Sequence, residues 1–379
     1  MRILHAITTL DVGGAEMHLL AQVRGQCARG HSVRVVYFKG QGTLAPDFLS
    51  AGAERVERSS FADGLLGDLR ANLRWAQITH THLLKADMGV AVLATLAGRR
   101  AGLVSSKHND EQVLTRPLVS LVHGLIGRLP RRTIPLSDHV ARFIERHGRI
   151  PQARQTRIYY GLDPTPFEQA ALAAPEVRAK LRRSLGIGDD EVVFTCVARF
   201  APQKAHAVLL RAFARARASE GGARLRLLLV GDDPFGEGRA RAVALAHELG
   251  VHGPVVFAGI RRDVPQVLAA SDAFVMCSLW EGLGLVFLEA MATGLPVLAT
   301  RVSAVPEVVE EGRTGLLVPP TDADALCTAM LRLAEDAELR RALGSAGRER
   351  VRKNFALERM IEETLRVYSH LHPEPPRGR

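Results

Sequence analysis

The sequence is poor in cysteine and contains no long apolar run. Its 379 residues include four cysteines, which lie far apart and form no C-x-x-C pair. That spacing argues against a disulfide framework or a structural zinc and fits a reducing compartment. The longest apolar stretch, around Val90–Ala97, is far shorter than a membrane span, and Asp11 comes too early for a signal-peptide core. We therefore expect a cytoplasmic protein.

Aromatic residues are also scarce, at 5% of the chain, and no basic-aromatic pattern or recognition-helix motif is present. This argues against a nucleic-acid partner. The net charge is +10, and residues 1–165 hold 22 basic and 13 acidic side chains against 28 and 27 in the remainder. Such asymmetry is typical of a surface that meets an anionic partner. An anionic membrane surface, at the inner face of the plasma membrane, or an acidic acceptor fits this pattern.

Short apolar runs alternate with longer runs of helical period in both halves of the chain, which predicts an α/β protein with parallel sheets. The predicted strands are Ile3–Thr8, Val33–Phe38, Ile78–His80, Leu103–Ser106, Val192–Ala198, Leu225–Val230, Val255–Ala258, Ala273–Met276 and Val297–Ala299. The predicted helices are Ala15–Arg29, Ala86–Ala97, Ala207–Arg217, Arg239–Leu249, Val286–Thr293 and Ala323–Ala334.

The chain length predicts two domains, because single cores stop growing near ~250–300 residues. A turn-rich linker, Gly161–Pro166, separates the two sets of strands. We predict a domain over residues 1–165, a second over 166–355, and a last helix at about 356–372 that packs back on the first. Two doubly wound domains would bind ligands at the carboxyl ends of their strands, in a cleft between them.

Two glycines follow the first predicted strand, in Asp11-Val12-Gly13-Gly14-Ala15-Glu16. They open a helix, where backbone amides and the helix dipole can meet an anion, although a tight turn packed for steric reasons explains them too. His108 directly follows the fourth strand and would project into the cleft, but a lone histidine is more often structural.

Two cations follow the first strand of the second half. Arg199 comes directly after it, and Lys204 follows a short loop. A forked guanidinium and a mobile ammonium suit a diphosphate and could neutralise its departure without a metal, whereas surface solvation is the alternative.

A third motif carries two carboxylates separated by seven residues, Glu281 and Glu289, on either side of a Gly-x-Gly turn. The amides of Gly284, Leu285 and Val286 would form a helix N-terminus for a phosphate. Glu289, one turn into that helix, can accept two hydrogen bonds from a ribose diol.

Taken together, these motifs resemble the retaining glycosyltransferases of family 4, also called glycosyl transferases group 1, which have the GT-B fold of two facing Rossmann-like domains. The resemblance runs from Gly13-Gly14 through Arg199, Lys204 and Glu281…Glu289 to Pro306-Glu307 and the segment 314–318. It implies transfer of a sugar from a UDP- or GDP-linked donor to a hydroxyl acceptor on a glycan or glycolipid, with no cofactor and no metal.

The resemblance also implies a role for each matching residue. Glu289 would hold the ribose, Glu281 would bind or orient the sugar, and Arg199 and Lys204 would bind the diphosphate. His108 would contact the sugar near the reacting carbon. The loop at Gly13 and Gly14 would close over the diphosphate from the first domain.

The sequence departs from the family pattern at positions that affect backbone conformation or packing. Ala205 replaces a glycine, Leu283 the phenylalanine of Gly-Phe-Gly, Ser303-Ala304 a glycine pair, and Tyr160 an asparagine. The ionic residues remain. Asp232-Asp233 ends a strand and does not form a D-x-D metal motif. A GT-B nucleotide-sugar epimerase and a non-catalytic nucleotide-sugar-binding protein are the alternative functions.

One further segment bears on the membrane hypothesis. Residues Arg116–Arg132 predict an apolar helix with a basic end at Arg128, Arg131 and Arg132. Such a helix is either an ordinary core helix with solvated arginines or a surface that docks on anionic lipid.

Overall fold

The computed structural model describes residues 1–60, 67–173, 175–233 and 236–372. Its twelve strands form two six-stranded sheets, and every pairing between neighbouring strands is parallel. The strands are β1 Arg2–Thr9, β2 Ser32–Lys39, β3 Arg55–Arg58, β4 Ile78–His82, β5 Leu103–Lys107, β6 Arg132–Pro135, β7 Val192–Val197, β8 Leu225–Val230, β9 Val255–Gly259, β10 Ala273–Met276, β11 Val297–Thr300 and β12 Gly315–Val318.

Helices connect the strands and cover the sheets. They are α1 Gly14–Ala28, α2 Ala45–Ser50, α3 Asp68–Trp75, α4 Leu84–Leu96, α5 Pro117–Ile126, α6 Asp138–Arg146, α7 Thr165–Ala171, α8 Pro175–Ser184, α9 His206–Ala218, α10 Gly238–Glu248, α11 Val264–Ala269, α12 Leu285–Thr293, α13 Val305–Val308, α14 Ala323–Glu335, α15 Ala337–Asn354 and α16 Leu357–Leu371. No helix in these described ranges is long and apolar enough to cross a membrane.

The chain divides into two compact units. The first holds Met1–Gly161 and the chain from Leu357 onward, and the second holds Leu162–Ala356. Their sheets have the orders β3-β2-β1-β4-β5-β6 and β12-β11-β10-β7-β8-β9, which are the same Rossmann order read from opposite edges. In each sheet the order therefore reverses between the first and fourth strands, at β1/β4 and at β7/β10. That reversal marks where an open α/β sheet binds its ligand.

The predicted α/β class with two parallel sheets is confirmed, and every predicted strand and helix of the two sets is present with small shifts at its ends. The continuous apolar runs identified the central strands because a parallel sheet is covered on both faces. In β1, for example, Ile3, Leu4, Ala6 and Ile7 are completely buried.

Helix α16 packs on the first unit, against α1. Gly25 of α1 makes the close approach possible, since a Cβ atom there would lie 2.0 Å from Cδ1 of Ile361. Two turns further along α16, on the same face, the Tyr368 hydroxyl lies 2.5 Å from Nδ1 of His80 in β4. The last helix is thus fixed to the first sheet by both packing and a buried hydrogen bond.

The predicted helix over Arg116–Arg132 is wrong in its extent. Helix α5 ends at Ile126, and Arg132 already begins β6. The side chains of Arg128 and Arg132 donate to the backbone carbonyls of Arg149 and Ala153 instead of forming the basic end of a helix. The core-helix alternative is also wrong for one face, because four apolar side chains of α5 are exposed: Leu118 73%, Leu121 48%, Val122 43% and Leu125 70%.

Candidate active site

The first unit presents an open helix N-terminus after β1. Gly13 is the N-cap of α1, and a Cβ atom there would lie 2.5 Å from the Glu16 carboxylate, which accepts a 2.6 Å hydrogen bond from Thr9. A Cβ atom at Gly14 would meet nothing within 4 Å. Gly13 therefore lets the first turn fold around Glu16, and Gly14 leaves free space beside the amides. Anion binding by this turn stays a prediction from the motif, and an open helix end suits it.

His108 lies just beyond the end of β5, in a small recess that Leu83, Leu84 and Glu111 also line. Its side chain is buried, and both ring nitrogens have partners. Nε2 lies 3.0 Å from Nδ1 of His82, and Nδ1 lies 3.0 Å from the hydroxyl of Tyr160. Burial lowers the pKa of His108 to about 3, and the neighbouring Lys107 adds to the shift. The imidazole is therefore neutral at physiological pH.

More histidines lie behind His108, and the sequence analysis did not identify them. His5, His80 and His82 each bring a ring nitrogen within 4.8 Å of the others, a separation at which three imidazoles could hold a metal ion. His5 Nδ1 lies 3.0 Å from His82 Nε2, and His80 contacts Tyr368 and Ser106. The available signal was the alternation of His80 and His82, which places both side chains on one face of β4.

A buried ion pair fixes the end of β5 next to His108. The Lys107 ammonium contacts Asp87 of α4, and Thr81 donates a 2.7 Å hydrogen bond to the same carboxylate. Burial by itself would raise the pKa of Asp87, but Lys107 and the hydrogen bonds outweigh it and leave the pKa below its usual value. The ion pair thus anchors the strand that leads to His108.

In the second unit, Lys204 and Glu281 come together. Lys204 follows β7, Glu281 follows β10, and these two strands are neighbours at the point where the sheet order reverses. The Lys204 ammonium pairs directly with the Glu281 carboxylate, which also accepts a 2.6 Å hydrogen bond from Ser278. Both side chains are mostly buried, at 14% and 7% exposure. The structure therefore pairs Lys204, the residue predicted to bind the diphosphate, with Glu281, the residue predicted to bind the sugar.

Arg199 differs from Lys204 in its surroundings. It lies two residues beyond the end of β7 and is exposed, and its guanidinium pairs with no side chain in the part of the chain that the structure describes. A free guanidinium keeps its two-pronged geometry available for a phosphate.

Glu289 lies one turn into α12, as predicted. Gly284 is the N-cap of that helix with φ +82, and a Cβ atom there would lie 2.6 Å from the Phe287 ring. The turn thus needs glycine for both conformation and space, and it leaves the amides of Leu285 and Val286 at an open helix end. Glu289 is half-buried, and burial raises the pKa of its carboxyl to about 7. Hydrogen bonds from hydroxyl groups would stabilise the ionised form of this carboxyl.

Two departures from the family pattern fall at strained backbone positions. Ala205 has φ +48 and Ser303 has φ +45, both in the left-handed region that favours glycine. Ala205 is the N-cap of α9, directly after Lys204. Ala205 and Ser303 therefore adopt the backbone conformation that favours the glycine of the family pattern.

Asp232-Asp233 has a structural task. The Asp233 carboxylate accepts hydrogen bonds from the backbone amides of Gly238 and Arg239, at 3.2 and 2.9 Å, and so caps the start of α10. Asp232 accepts from the amide of Asp233 at 2.7 Å.

Comparison with known proteins agrees with this arrangement. Residues 12–165 match the family profile Glycosyltransferase Family 4, and residues 177–350 match Glycosyl transferases group 1. The chain is 32% identical over 361 residues to a GDP-mannose-dependent α-(1-6)-phosphatidylinositol monomannoside mannosyltransferase from Mycolicibacterium smegmatis, covering 89% of each chain. A D-inositol 3-phosphate glycosyltransferase from Rhodococcus erythropolis is 36% identical over 57% of this chain and 51% of its own length.

Among solved structures, Anabaena HepE in complex with UDP and glucose superimposes with a TM-score of 0.84. It covers 97% of this chain and 99% of its own at 23% identity, which shows the shared GT-B fold. The chain belongs to glycosyltransferase family 4, the glycosyl transferases of group 1. It is a glycosyltransferase, which takes a sugar from a nucleotide-sugar donor.

Proposed function

We propose that the enzyme transfers a hexose with retention at the anomeric carbon and without a divalent ion. The observation that carries this proposal is the set of groups on the second unit: a free Arg199, the paired Lys204 and Glu281, and Glu289 beside an open helix end. These groups supply the positive charge that a leaving diphosphate needs, so no metal is required for that task.

The reaction then follows a front-face route. The bond between the anomeric carbon and the diphosphate oxygen breaks, and the diphosphate leaves with the electron pair toward Arg199 and Lys204. The acceptor oxygen bonds to the same face of the oxocarbenium-like sugar, and its proton passes to the departing phosphate. Glu281 and Glu289 are assigned to sugar and ribose binding, so neither serves as a covalent nucleophile. Catalysis consists mainly of positioning and charge stabilisation.

The donor is UDP- or GDP-linked, and GDP-mannose is the first to test, since the Mycolicibacterium relative is named for it. The acceptor is a hydroxyl on a glycan or glycolipid, a class to which that relative's phosphatidylinositol mannoside belongs. Purified protein is incubated with a panel of nucleotide sugars, with and without acceptor extracts. Acceptor-dependent release of nucleotide supports transfer. Donor turnover alone to a changed sugar would identify an epimerase, and binding without turnover a non-catalytic protein.

The exposed face of α5 favours a membrane-bound acceptor. Leu118, Leu121, Val122 and Leu125 follow helical spacing and form one apolar face, which Arg116, Arg128 and Arg131 flank at the surface. We propose that this face inserts into an anionic lipid surface while the arginines meet the headgroups, each contributing about 1 kcal/mol.

Vesicle co-sedimentation tests the docking face. The double variant Leu118→Gln, Leu125→Gln should fold normally, because both leucines are about 70% exposed, and should lose most of its binding to anionic vesicles. Leu96→Gln on α4, where the leucine is 70% exposed, is the matched control and should bind like the wild type. Equal binding by all three proteins, or equal binding to zwitterionic vesicles, would contradict the proposal.

A further inference from the structure

An unbroken chain of hydrogen bonds joins five buried side chains of the first unit. Gln26 Oε1 lies 2.9 Å from His5 Nε2, and His5 Nδ1 lies 3.0 Å from His82 Nε2. His82 Nδ1 lies 3.0 Å from His108 Nε2, and His108 Nδ1 lies 3.0 Å from the Tyr160 hydroxyl. The chain begins at the helix that follows β1, crosses β1 and β4, passes through the imidazole beyond β5 and ends at Tyr160.

The direction of the protons follows from the first member. The amide oxygen of Gln26 only accepts, so His5 carries its proton on Nε2 and has a bare Nδ1. That nitrogen accepts from His82 Nε2, which leaves His82 Nδ1 bare to accept from His108 Nε2. His108 Nδ1 in turn accepts from the Tyr160 hydroxyl. Every ring is neutral, and each has a single tautomer assigned by its two neighbours.

We propose that His82 and His5 are positioning residues, which hold His108 in the neutral Nε2–H tautomer with its ring fixed at the end of β5. This inference rests on the proposed placement of His108 near the reacting carbon of the sugar. A neutral imidazole there adds no positive charge beside a sugar that becomes oxocarbenium-like, whereas an imidazolium would oppose that charge. A metal-bound histidine could not keep the same chain, because the bare nitrogens are already used as acceptors.

The groups that face His108 support a neutral ring. His18 of α1 lies with its ring centroid 5.7 Å away, His82 contacts it from β4, and Lys107 precedes it on β5. Tyr160 contacts the other nitrogen, and Glu111 lines the same recess. Burial also lowers the pKa of His5 to about 4 and that of His82 well below its usual value. The nearest cation, Lys107, lowers the pKa of His108 further.

The first test needs no catalysis. Imidazole ¹⁵N NMR of histidine-labelled protein, with His108→Asn for assignment, should show His108 as the Nε2–H tautomer that stays neutral down to about pH 5. In His82→Phe the Nε2–H group loses its acceptor, so His108 should show a mixture of its two neutral tautomers. In His82→Gln the amide can accept from His108 and donate to His5, and the wild-type signal should persist.

His80→Phe is the matched control. His80 lies on the same face of β4 and is equally buried, but it bonds to Tyr368 and Ser106 and not to His108. It should leave the His108 signal unchanged. An Nδ1–H tautomer or an ordinary titration of His108 in the wild type would overturn the inference, even where His82→Phe fails to fold. Equal effects of His80→Phe and His82→Phe on the His108 signal would overturn it too.

Kinetics give the second readout. His82→Phe should lower kcat about tenfold or more at neutral pH and change the donor KM little, because His108 then loses its fixed tautomer and ring position. His82→Gln and His80→Phe should keep a kcat close to that of the wild type. An unchanged kcat in His82→Phe would contradict the inference. A wild type inactive with every donor would contradict the proposed function instead and leave the NMR result standing.

Discussion

Glu289, which is predicted to bind the donor, has a raised pKa. Its carboxyl is half-buried, and burial raises its pKa from 4.5 to about 7. Between those two values the folded protein holds a proton that the unfolded chain has lost, so the free energy of unfolding falls as the pH rises through this window. The ionised form of Glu289, which the proposed ribose contact requires, therefore costs the fold stability.

Replacement of this carboxyl by a neutral amide should separate the two effects. Glu289→Gln should raise the free energy of unfolding by on the order of 1–3 kcal/mol at pH 8, with little gain near pH 5. It should also raise the donor KM, since an amide cannot accept two hydroxyl hydrogen bonds as well as a carboxylate does. Urea unfolding at both pH values and initial rates at varied donor concentration measure these changes. A gain in stability that is equal at the two pH values would contradict this account.

Arg199 and Lys204 carry the same charge in different surroundings. Arg199 is exposed and free of side-chain partners among the described residues, whereas Lys204 is buried against Glu281. Truncation of Lys204 leaves the buried Glu281 carboxylate without its counter-ion. Truncation of Arg199 leaves no buried charge unpaired among the described residues. Their kinetic roles are expected to be alike and their structural roles different.

Both truncations should therefore slow the enzyme, and only one should weaken the fold. Arg199→Ala and Lys204→Ala should each lower kcat/KM by an amount equal to about 2–4 kcal/mol of transition-state stabilisation. Lys204→Ala should in addition lower the free energy of unfolding, while Arg199→Ala should leave it unchanged. Unchanged kcat/KM in both variants would remove the diphosphate assignment.

At the scale of elements, apolar runs predicted the central strands and the edge strand β9, and charge concealed the two edge strands of the first sheet, β3 and β6. β3 carries Arg55, Glu57 and Arg58, and β6 begins with Arg132 and ends in Pro135. Such residues suit an edge strand, where they discourage further pairing, but they give a sequence no apolar period. The sequence also did not reveal the exposed face of α5, because an apolar helix is ordinarily a buried one.

Helix α9 offers a test of strain at an element boundary. Its N-cap, Ala205, adopts φ +48, a conformation that costs an alanine roughly 1–2 kcal/mol. Glycine removes that cost but gives the unfolded chain more freedom, so Ala205→Gly should be neutral or stabilise the protein by up to about 1 kcal/mol. Urea unfolding measures it, with Ala212→Gly inside the same helix as the control, which should destabilise the protein by about 1 kcal/mol. Equal losses in the two variants would contradict the assignment of strain.

At the scale of the whole molecule, the sequence predicted the ionic part of the candidate site and missed the part built by strand pairing. Lys204, Glu281 and Glu289 occur in motifs whose spacing has a local meaning, so their positions could be predicted. The partnership of His5 with His82 depends on the register between β1 and β4, in which His5 pairs with His80. Nothing local in either segment indicates that register, which is set by which strands become neighbours in the sheet.

The two sheets have the same strand order, and each carries its own set of candidate residues at the equivalent place. In each sheet the candidate residues follow the strands at or beside the point where the order reverses, with Gly13 and His108 on one sheet and Lys204 and Glu281 on the other. The proposal assigns departure of the diphosphate to the cations of the second unit alone. Independence from divalent ions follows from that assignment, whereas retention follows from the proposed front-face attack.

The most direct test is the anomeric configuration of the product made in the presence of EDTA. The enzyme is freed of metal, supplied with a nucleotide sugar and an acceptor glycolipid, and its product is examined by ¹H NMR at the anomeric proton. We expect acceptor-dependent product with the donor's configuration, at a rate that added Mg²⁺ or Mn²⁺ does not raise. An inverted product, or a complete loss of activity that metal restores, would contradict the account.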